Sequence, residues 1–253
     1  MKVLEQHDKR NIRAAIFDFD GTLSTLRCGW ETVMGPMMEE YLSKTENVKE
    51  KVSEFIDAST GIQTILQMKW LAEQVALQGE NPLDPWDYKA EYNRRLMENV
   101  EKKHAEALSG ARDKYIISGA EEFLKALKDK GIKLYAASGT DDKDVKKEAE
   151  VLGLSKYFDS IEGAKPFSEN CSKEATIKEL MEKHQGNELL VVGDGPVEIR
   201  LGKEAGALTL GICANEKELS GWDEAKINRL TKAGAHLLVD RFDVKEIISW
   251  MEE

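Results

Sequence analysis

The 253-residue sequence has few cysteines and no long apolar run. Its three cysteines, Cys28, Cys171 and Cys213, are scattered and odd in number, so a disulfide framework or a zinc site is not indicated and reduced thiols are. No apolar stretch approaches the length that crosses a membrane, and the charged amino terminus lacks the apolar core of a signal peptide. We therefore expect a cytoplasmic protein.

Excess positive charge is absent as well. Acidic residues outnumber basic ones by 47 to 36, which gives a formal net charge of −11. This balance argues against a nucleic-acid-binding surface and against an anionic membrane as a partner. A small anionic molecule remains a candidate ligand, because one local cationic pocket can bind it. The charge balance does not predict the oligomeric state.

The periodicity of apolar residues divides the chain into two parts. From about residue 25 to residue 113 apolar residues recur at helical spacings with no strand signal, whereas helices and apolar strands alternate after residue 113. Such alternation is typical of a parallel sheet covered on both faces. We predict an α/β fold: a doubly wound, Rossmann-like core (1–24 and 114–253) with an inserted all-helical domain (25–113).

Two carboxylates follow the first apolar run. Residues 14–17 predict a buried strand, and the next residues are Asp18, Phe19, Asp20, Gly21 and Thr22. Strand alternation places Asp18 and Asp20 on the same side at the carboxyl end of the strand. Two acids so close together are costly without a cation, and oxygen ligands favour Mg²⁺. A surface turn is the alternative, but the preceding strand is too apolar for a surface edge.

Two further polar clusters follow predicted strands. Ser138 and Gly139 come after the strand at 134–137 and offer a hydroxyl and backbone N–H groups to a phosphate oxygen. Asp194 follows the strand at 189–192, and Glu198 lies one helical turn later. In isolation the Ser-Gly-Thr segment is typical of an ordinary turn. Because ligands of open α/β sheets bind at the carboxyl ends of strands, we expect these clusters to meet Asp18 and Asp20.

These segments together resemble the motifs of the haloacid dehalogenase-like hydrolase superfamily, whose members are mostly phosphatases, and the resemblance covers nearly the whole chain. It implies that Asp18 is the nucleophile that forms an aspartyl-phosphate and that Asp20 protonates the leaving oxygen and later activates water. It also implies that Ser138 and Gly139 hold phosphate. Magnesium would be held by a set of four acidic residues: Asp18, Asp20, Asp194 and Glu198. Relatives often carry aspartate where this chain has Glu198.

The resemblance also calls for a lysine that neutralises the phosphate, and the sequence offers two. Lys173 opens the helix before the Asp194 strand, whereas Lys165 precedes Pro166 in a loop. We favour Lys173, because a lysine in a first helical turn is fixed relative to the next strand. Both remain candidates, and a solvated surface position is the usual fate of a lysine.

The inserted helical domain occupies the place where many superfamily members carry a helical cap. A cap excludes water and contributes specificity residues. The candidates are Arg27, Trp30 and Gln63. Arg27 is more often a surface arginine, and Trp30 is more often a core or hinge anchor.

The prediction is a Mg²⁺-dependent phosphatase that hydrolyses a small phosphorylated metabolite through an aspartyl-phosphate. One alternative is a phosphomutase on the same core. A second is a non-catalytic protein that binds phosphorylated ligands, which the presence of Asp18, Asp20, Ser138 and Asp194 disfavours. The identity of the substrate is not predicted.

Overall fold

The computed structural model describes residues 1–60, 62–165 and 173–253. Their contacts group into two compact units, one formed by Met1–Cys28 with His104–Glu253 and the other by Gly29–Lys103. The contacts therefore draw the division at residues 29 and 103, whereas the sequence pattern suggests residues 25 and 113.

Within the described residues the first unit carries a seven-stranded sheet in the order β1-β7-β6-β5-β2-β3-β4. Its strands are β1 (Lys2–Val3), β2 (Ala14–Phe17), β3 (Lys133–Asp141), β4 (Ser160–Ala164), β5 (Leu189–Gly193), β6 (Leu208–Ile212) and β7 (Leu237–Val239). All neighbours are parallel except β1, which pairs antiparallel to β7.

Helices make up most of the remaining regular structure. They are α1 (Glu31–Tyr41), α2 (Val48–Ala58), α3 (Thr64–Leu77), α4 (Pro85–Glu106), α5 (Ala120–Asp129), α6 (Asp142–Val151), α7 (Lys173–Lys183), α8 (Pro196–Glu204), α9 (Glu224–Ala233) and α10 (Val244–Glu252). In the described ranges no helix combines the length and the apolar character needed to cross a membrane.

The central strands are buried on both faces. Phe17 and Val192 belong to one apolar cluster, and their strand neighbours Ile16 and Val191 belong to another. Because successive residues of a strand point to opposite faces, these two clusters lie on the two sides of the sheet. Apolar runs such as β5 are required for strands covered on both faces. The predicted α/β fold with a doubly wound sheet is confirmed.

The second unit is helical through its described residues. Its apolar core is formed by side chains from α1 to α4, among them Met34, Met38, Val52, Leu71 and Tyr92. The last of these helices begins at Pro85, and the Trp86 backbone N–H donates to the Asp84 carboxylate at 2.9 Å.

The order of the sheet reverses at β2. The chain proceeds from β2 to β3 and β4 on one side, whereas β5, β6 and β7 lie on the other. Such a reversal is where open α/β sheets bind ligands, just beyond the carboxyl ends of the strands. The end of β2 and the end of β5 are therefore the positions at which functional side chains are expected.

Candidate active site

The register of β2 against β5 brings two acids to one place. Phe17 pairs with Val192, and the Asp18 backbone N–H donates to the Val192 carbonyl at 2.9 Å. The chain leaves β5 at Gly193, so Asp194 emerges beside Asp18. Parallel pairing of two apolar strands thus places both carboxylates at the same edge of the sheet, as the sequence predicts.

Three buried carboxylates gather there. Asp18, Asp194 and Glu198 each offer one oxygen, and these oxygens lie within 4.8 Å of one another. The Thr22 hydroxyl lies 3.4 Å from Asp18 Oδ2 and 3.2 Å from Asp194 Oδ1 and can donate to either. Carboxylates packed this closely repel each other, and an all-oxygen donor set suits a hard divalent cation. The cluster therefore fits a metal such as Mg²⁺.

Glycines make room for these carboxylates. A Cβ on Gly193 would lie 2.2 Å from Glu198 Oε1, so only glycine lets that side chain turn back over the end of β5. The same oxygen accepts a hydrogen bond from the Gly195 backbone N–H at 2.7 Å, which fixes the first turn of α8. Glu198 is thereby brought to the carboxylate cluster that it forms with Asp18 and Asp194.

Gly21 is required for the approach of Asp194. Its φ is +73°, in the left-handed region, and a Cβ there would lie 2.5 Å from Asp194 Oδ2. We expect Gly21→Ala to lower the free energy of unfolding by about 1–2 kcal/mol for the backbone conformation. The clash should add about 1–3 kcal/mol.

Gly131→Ala is the matched control, because Gly131 has a φ of +77° but nothing within 4 Å of an added Cβ. Urea denaturation of both variants measures the difference. Equal losses from the two substitutions would contradict a steric requirement at Gly21.

The carboxylate of Asp20 lies outside the cluster formed by Asp18, Asp194 and Glu198, and it accepts hydrogen bonds from hydroxyl groups. Its Oδ2 accepts hydrogen bonds from Ser138 Oγ at 3.1 Å and from Thr140 Oγ1 at 2.9 Å. Its Oδ1 is buried and has no hydrogen-bond partner among the residues that the structure describes. The structure thus brings the second acid and the Ser138 segment together, as expected for neighbouring strand ends.

The Ser138 segment lies inside β3, whereas the sequence predicts that it follows a strand ending at residue 137. Strand β3 continues to Asp141, and its register against β4 shifts between Ala137 and Asp141. Ser138, Gly139 and Thr140 lie in this irregular stretch, and α6 begins directly after it. A bulge re-aims side chains at a strand end without ending the strand.

Of the two candidate lysines, the structure describes the side chain of one. Lys165 is exposed just beyond the end of β4. Lys173 is the first residue of α7, but its side chain lies outside the described part of the chain. Phosphate binding by either lysine stays a prediction.

Arg27 lies in the first unit and pairs with two acids of α6, the fully buried Glu148 and the partly buried Asp144. Its guanidinium donates to Glu148 Oε1 at 2.7 and 3.0 Å and lies 3.6 Å from Asp144, while His104 Nε2 is 4.0 Å from the same Glu148 oxygen. Burial raises the pKa of Glu148 to about 7, against the opposing charge of Arg27, and Asp20 contributes in the same direction as burial. Burial likewise opposes the charge of Arg27, but Glu148 and Asp20 raise its pKa above the ordinary value.

Trp30 and Gln63 belong to the second unit. Trp30 precedes α1 and packs against the apolar core of that unit, and Gln63 is buried immediately before α3. Substrate contacts by Arg27, Trp30 and Gln63 stay predictions.

Sequence reasoning missed two cations that contact Asp194. Lys226 Nζ lies 2.9 Å from Asp194 Oδ2, and Arg229 Nη2 lies 3.2 Å from the same oxygen. Both residues are on α9, more than 30 positions from Asp194, and neither belongs to a recognisable motif. The one available signal is that α9 follows β6, which ends at the same edge of the sheet as β5.

The fold and this site define a Rossmann-like α/β protein with an acidic candidate metal centre at the reversal of strand order. A family model described as haloacid dehalogenase-like hydrolase matches residues 12–206. The chain belongs to this family, and the resemblance noted in the sequence is confirmed.

Individual relatives match less of the chain. Phosphoglycolate phosphatase of Aquifex aeolicus is 34% identical over 107 residues, which are 42% of this chain and 46% of that protein. The chain thus spans less than half the length of this relative.

Among solved structures, a predicted phosphatase from Clostridium acetobutylicum has a TM-score of 0.61 and 19% identity, with 96% of this chain and 100% of that chain covered. β-Phosphoglucomutase from Clostridium difficile has a TM-score of 0.60 and 17% identity, with coverage of 95% and 97%. These structural likenesses concern the fold.

Proposed function

We propose that the protein is a Mg²⁺-dependent phosphatase that hydrolyses a small phosphorylated metabolite through an aspartyl-phosphate on Asp18. The proposal rests on one observation: two acids that follow the same strand have different surroundings. Asp18 belongs to the carboxylate cluster with Asp194 and Glu198. Asp20 lies outside that cluster and accepts hydrogen bonds from the hydroxyls of Ser138 and Thr140. One carboxylate would thus lie beside a bound cation, and the other would be left for proton transfer.

The cation would be held by Asp18, Asp194 and Glu198, with the backbone carbonyl of Asp20 as a further ligand. It would neutralise charge on the phosphoryl group, which a carboxylate nucleophile otherwise repels. The Thr22 hydroxyl, shared between Asp18 and Asp194, keeps the two carboxylates oriented.

The chain's own residues supply the steps of hydrolysis. Asp18 attacks the phosphorus atom while Asp20, in its protonated form, gives its proton to the leaving oxygen. Asp20 then takes a proton from the water that cleaves the aspartyl-phosphate. Division of hydrolysis into two displacements lowers each barrier. Ser138, Gly139 and one of Lys165 and Lys173 would hold the phosphoryl oxygens.

The partner is a small phosphorylated molecule, and neither nucleic acid nor a membrane is proposed as a ligand. Two features support this: a net charge of −11 disfavours polyanionic surfaces, and the Aquifex aeolicus relative carries the name of a phosphatase of phosphoglycolate. We also propose a cytoplasmic location, which the reduced state suggested by the scattered cysteines supports.

The test is a phosphate-release screen over a panel of sugar phosphates, phosphoglycolate and nucleotides, with and without Mg²⁺. We expect release that depends on Mg²⁺ and is removed by a chelator. Transfer of phosphate between positions of a sugar, without release, would identify a phosphomutase. Absence of both reactions over the panel would contradict the proposal.

Asp194→Asn should weaken activation by Mg²⁺. The amide removes one negative charge from the cluster, so we expect the Mg²⁺ concentration for half-maximal activity to rise by at least roughly 10- to 100-fold, the loss that is typical when only a group orienting a ligand is removed. Asp129→Asn is the control, because Asp129 is exposed at the end of α5. An unchanged Mg²⁺ dependence in Asp194→Asn would contradict its assignment as a ligand.

A further inference from the structure

Lys226 is a buried lysine with every donor in use. It is 4% exposed, although lysine is almost never fully buried unless it is paired. Its Nζ lies 2.9 Å from Asp194 Oδ2, 2.8 Å from Glu216 Oε1 and 3.3 Å from the Gly21 carbonyl oxygen. An ammonium group has three hydrogens, so these three acceptors leave none for a substrate.

Its three partners come from three different strand ends. Gly21 lies in the turn after β2, Asp194 follows β5, and Glu216 is in the loop after β6. Two of the three partners, Asp194 and Glu216, are carboxylates, the kind of partner that a buried lysine needs. One ammonium therefore joins the turn that follows the proposed nucleophile to the carboxylate of a proposed metal ligand.

Arg229 holds the same aspartate at a second point. It lies three residues after Lys226 on α9, so the two side chains share a face of the helix. Arg229 Nε donates to the Asp194 backbone carbonyl at 3.0 Å, and Nη2 donates to Asp194 Oδ2 at 3.2 Å. Both cations converge on Oδ2, while Oδ1 faces the Thr22 hydroxyl at 3.2 Å, on the side of Asp18.

We infer that Lys226 and Arg229 are positioning residues for the metal site. They bind Oδ2 of Asp194 and thereby keep Oδ1 on the side of Asp18, where a divalent cation would be held. The inference rests on the proposed metal site. It assigns a role at that site to two residues that belong neither to the carboxylate cluster nor to any of the sequence motifs. Groups that orient metal ligands in this way typically contribute 10- to 100-fold to metal affinity.

Two other roles for Lys226 predict different results. If the ammonium only repelled a nearby divalent cation, its removal would tighten Mg²⁺ binding, because like charges repel. If it only linked three loops, its removal would lower the melting temperature and leave Mg²⁺ affinity unchanged. The direction of the change in Mg²⁺ affinity therefore separates orientation from both alternatives.

The experiment is calorimetric titration of the full chain with Mg²⁺ alone, without substrate. Lys226→Met keeps the unbranched chain up to the position of Cε and removes the ammonium group, and Lys232→Met is the control, since Lys232 is exposed on the same helix. We expect the Kd for Mg²⁺ to rise 10- to 100-fold in Lys226→Met and to stay unchanged in Lys232→Met. At saturating Mg²⁺, phosphate release by Lys226→Met should recover most of its rate.

An unchanged or lower Kd in Lys226→Met would overturn the inference. Failure of the unaltered protein to bind Mg²⁺ would instead overturn the proposed metal site. If Lys226→Met does not fold, as judged by its melting curve, Arg229→Gln decides, because Arg229 is partly exposed and Lys226 remains in place. A several-fold rise in its Kd supports positioning, and no rise refutes it.

Discussion

Asp18→Asn is expected to abolish phosphate release. The amide is a poor acceptor for a phosphoryl group, so the first displacement does not occur, and the rate should fall by roughly 10⁴-fold or more. Asp18 also contributes an oxygen to the candidate metal site, so the assay should be run at saturating Mg²⁺. Rapid quenching followed by mass spectrometry should find a phosphorylated enzyme in the unaltered protein and none in the variant.

Asp129→Asn again serves as the control, because it makes the same chemical change at an exposed position. Phosphate trapped on a residue other than Asp18 would refute the assignment of the nucleophile. Substantial release by Asp18→Asn, with no phosphoenzyme in either protein, would indicate direct attack by water instead.

Asp20→Asn should reduce the rate according to the leaving group. Proton transfer by a positioned side chain is typically worth on the order of 10² to 10⁴ in rate. We expect a loss of this size for alkyl phosphates, whose leaving oxygen needs a proton. The loss should be much smaller for aryl phosphates, whose leaving group is stable as an anion. Steady-state kinetics on the two substrate classes measures the contrast.

Mg²⁺ affinity provides the internal check on Asp20→Asn. The side chain of Asp20 bonds to Ser138 and Thr140 and does not belong to the carboxylate cluster, and its backbone carbonyl survives the substitution. The Kd for Mg²⁺ should therefore stay near that of the unaltered protein. Equal losses on alkyl and aryl phosphates would argue against a role in leaving-group protonation.

The sequence was sufficient to predict the elements that bring the acids together. Residues 14–17 and 189–193 are apolar throughout, so both had to be strands covered on two faces, and parallel strands align their carboxyl ends. Asp18 and Asp194 follow those ends directly. Their proximity therefore follows from the strand pattern, as does the presence of Ser138 near Asp20.

Other features have no counterpart in the sequence pattern. Strand β1 is two exposed residues long and is held by backbone pairing with β7, so its side chains carry no signal. The continuation of β3 through Ser138 depends on a register shift against β4. The residues there are common in turns, so their pattern does not indicate a strand. Lys226 and Gly21 are separated by 205 positions, and nothing in a lysine on an amphipathic helix indicates which distant carboxylate it will meet.

The meeting of Arg27 and His104 at Glu148 has a consequence for chain entropy. These residues flank the segment Gly29–Lys103, and both lie against one oxygen of a single buried glutamate. For the first unit, that segment is a loop whose two ends are held at one point. The entropy of loop closure grows only logarithmically with length, by about 0.6 kcal/mol for each doubling. The first unit can therefore accommodate an insertion of very different length at this place with little change in its own stability, provided that Glu148 keeps the two ends together.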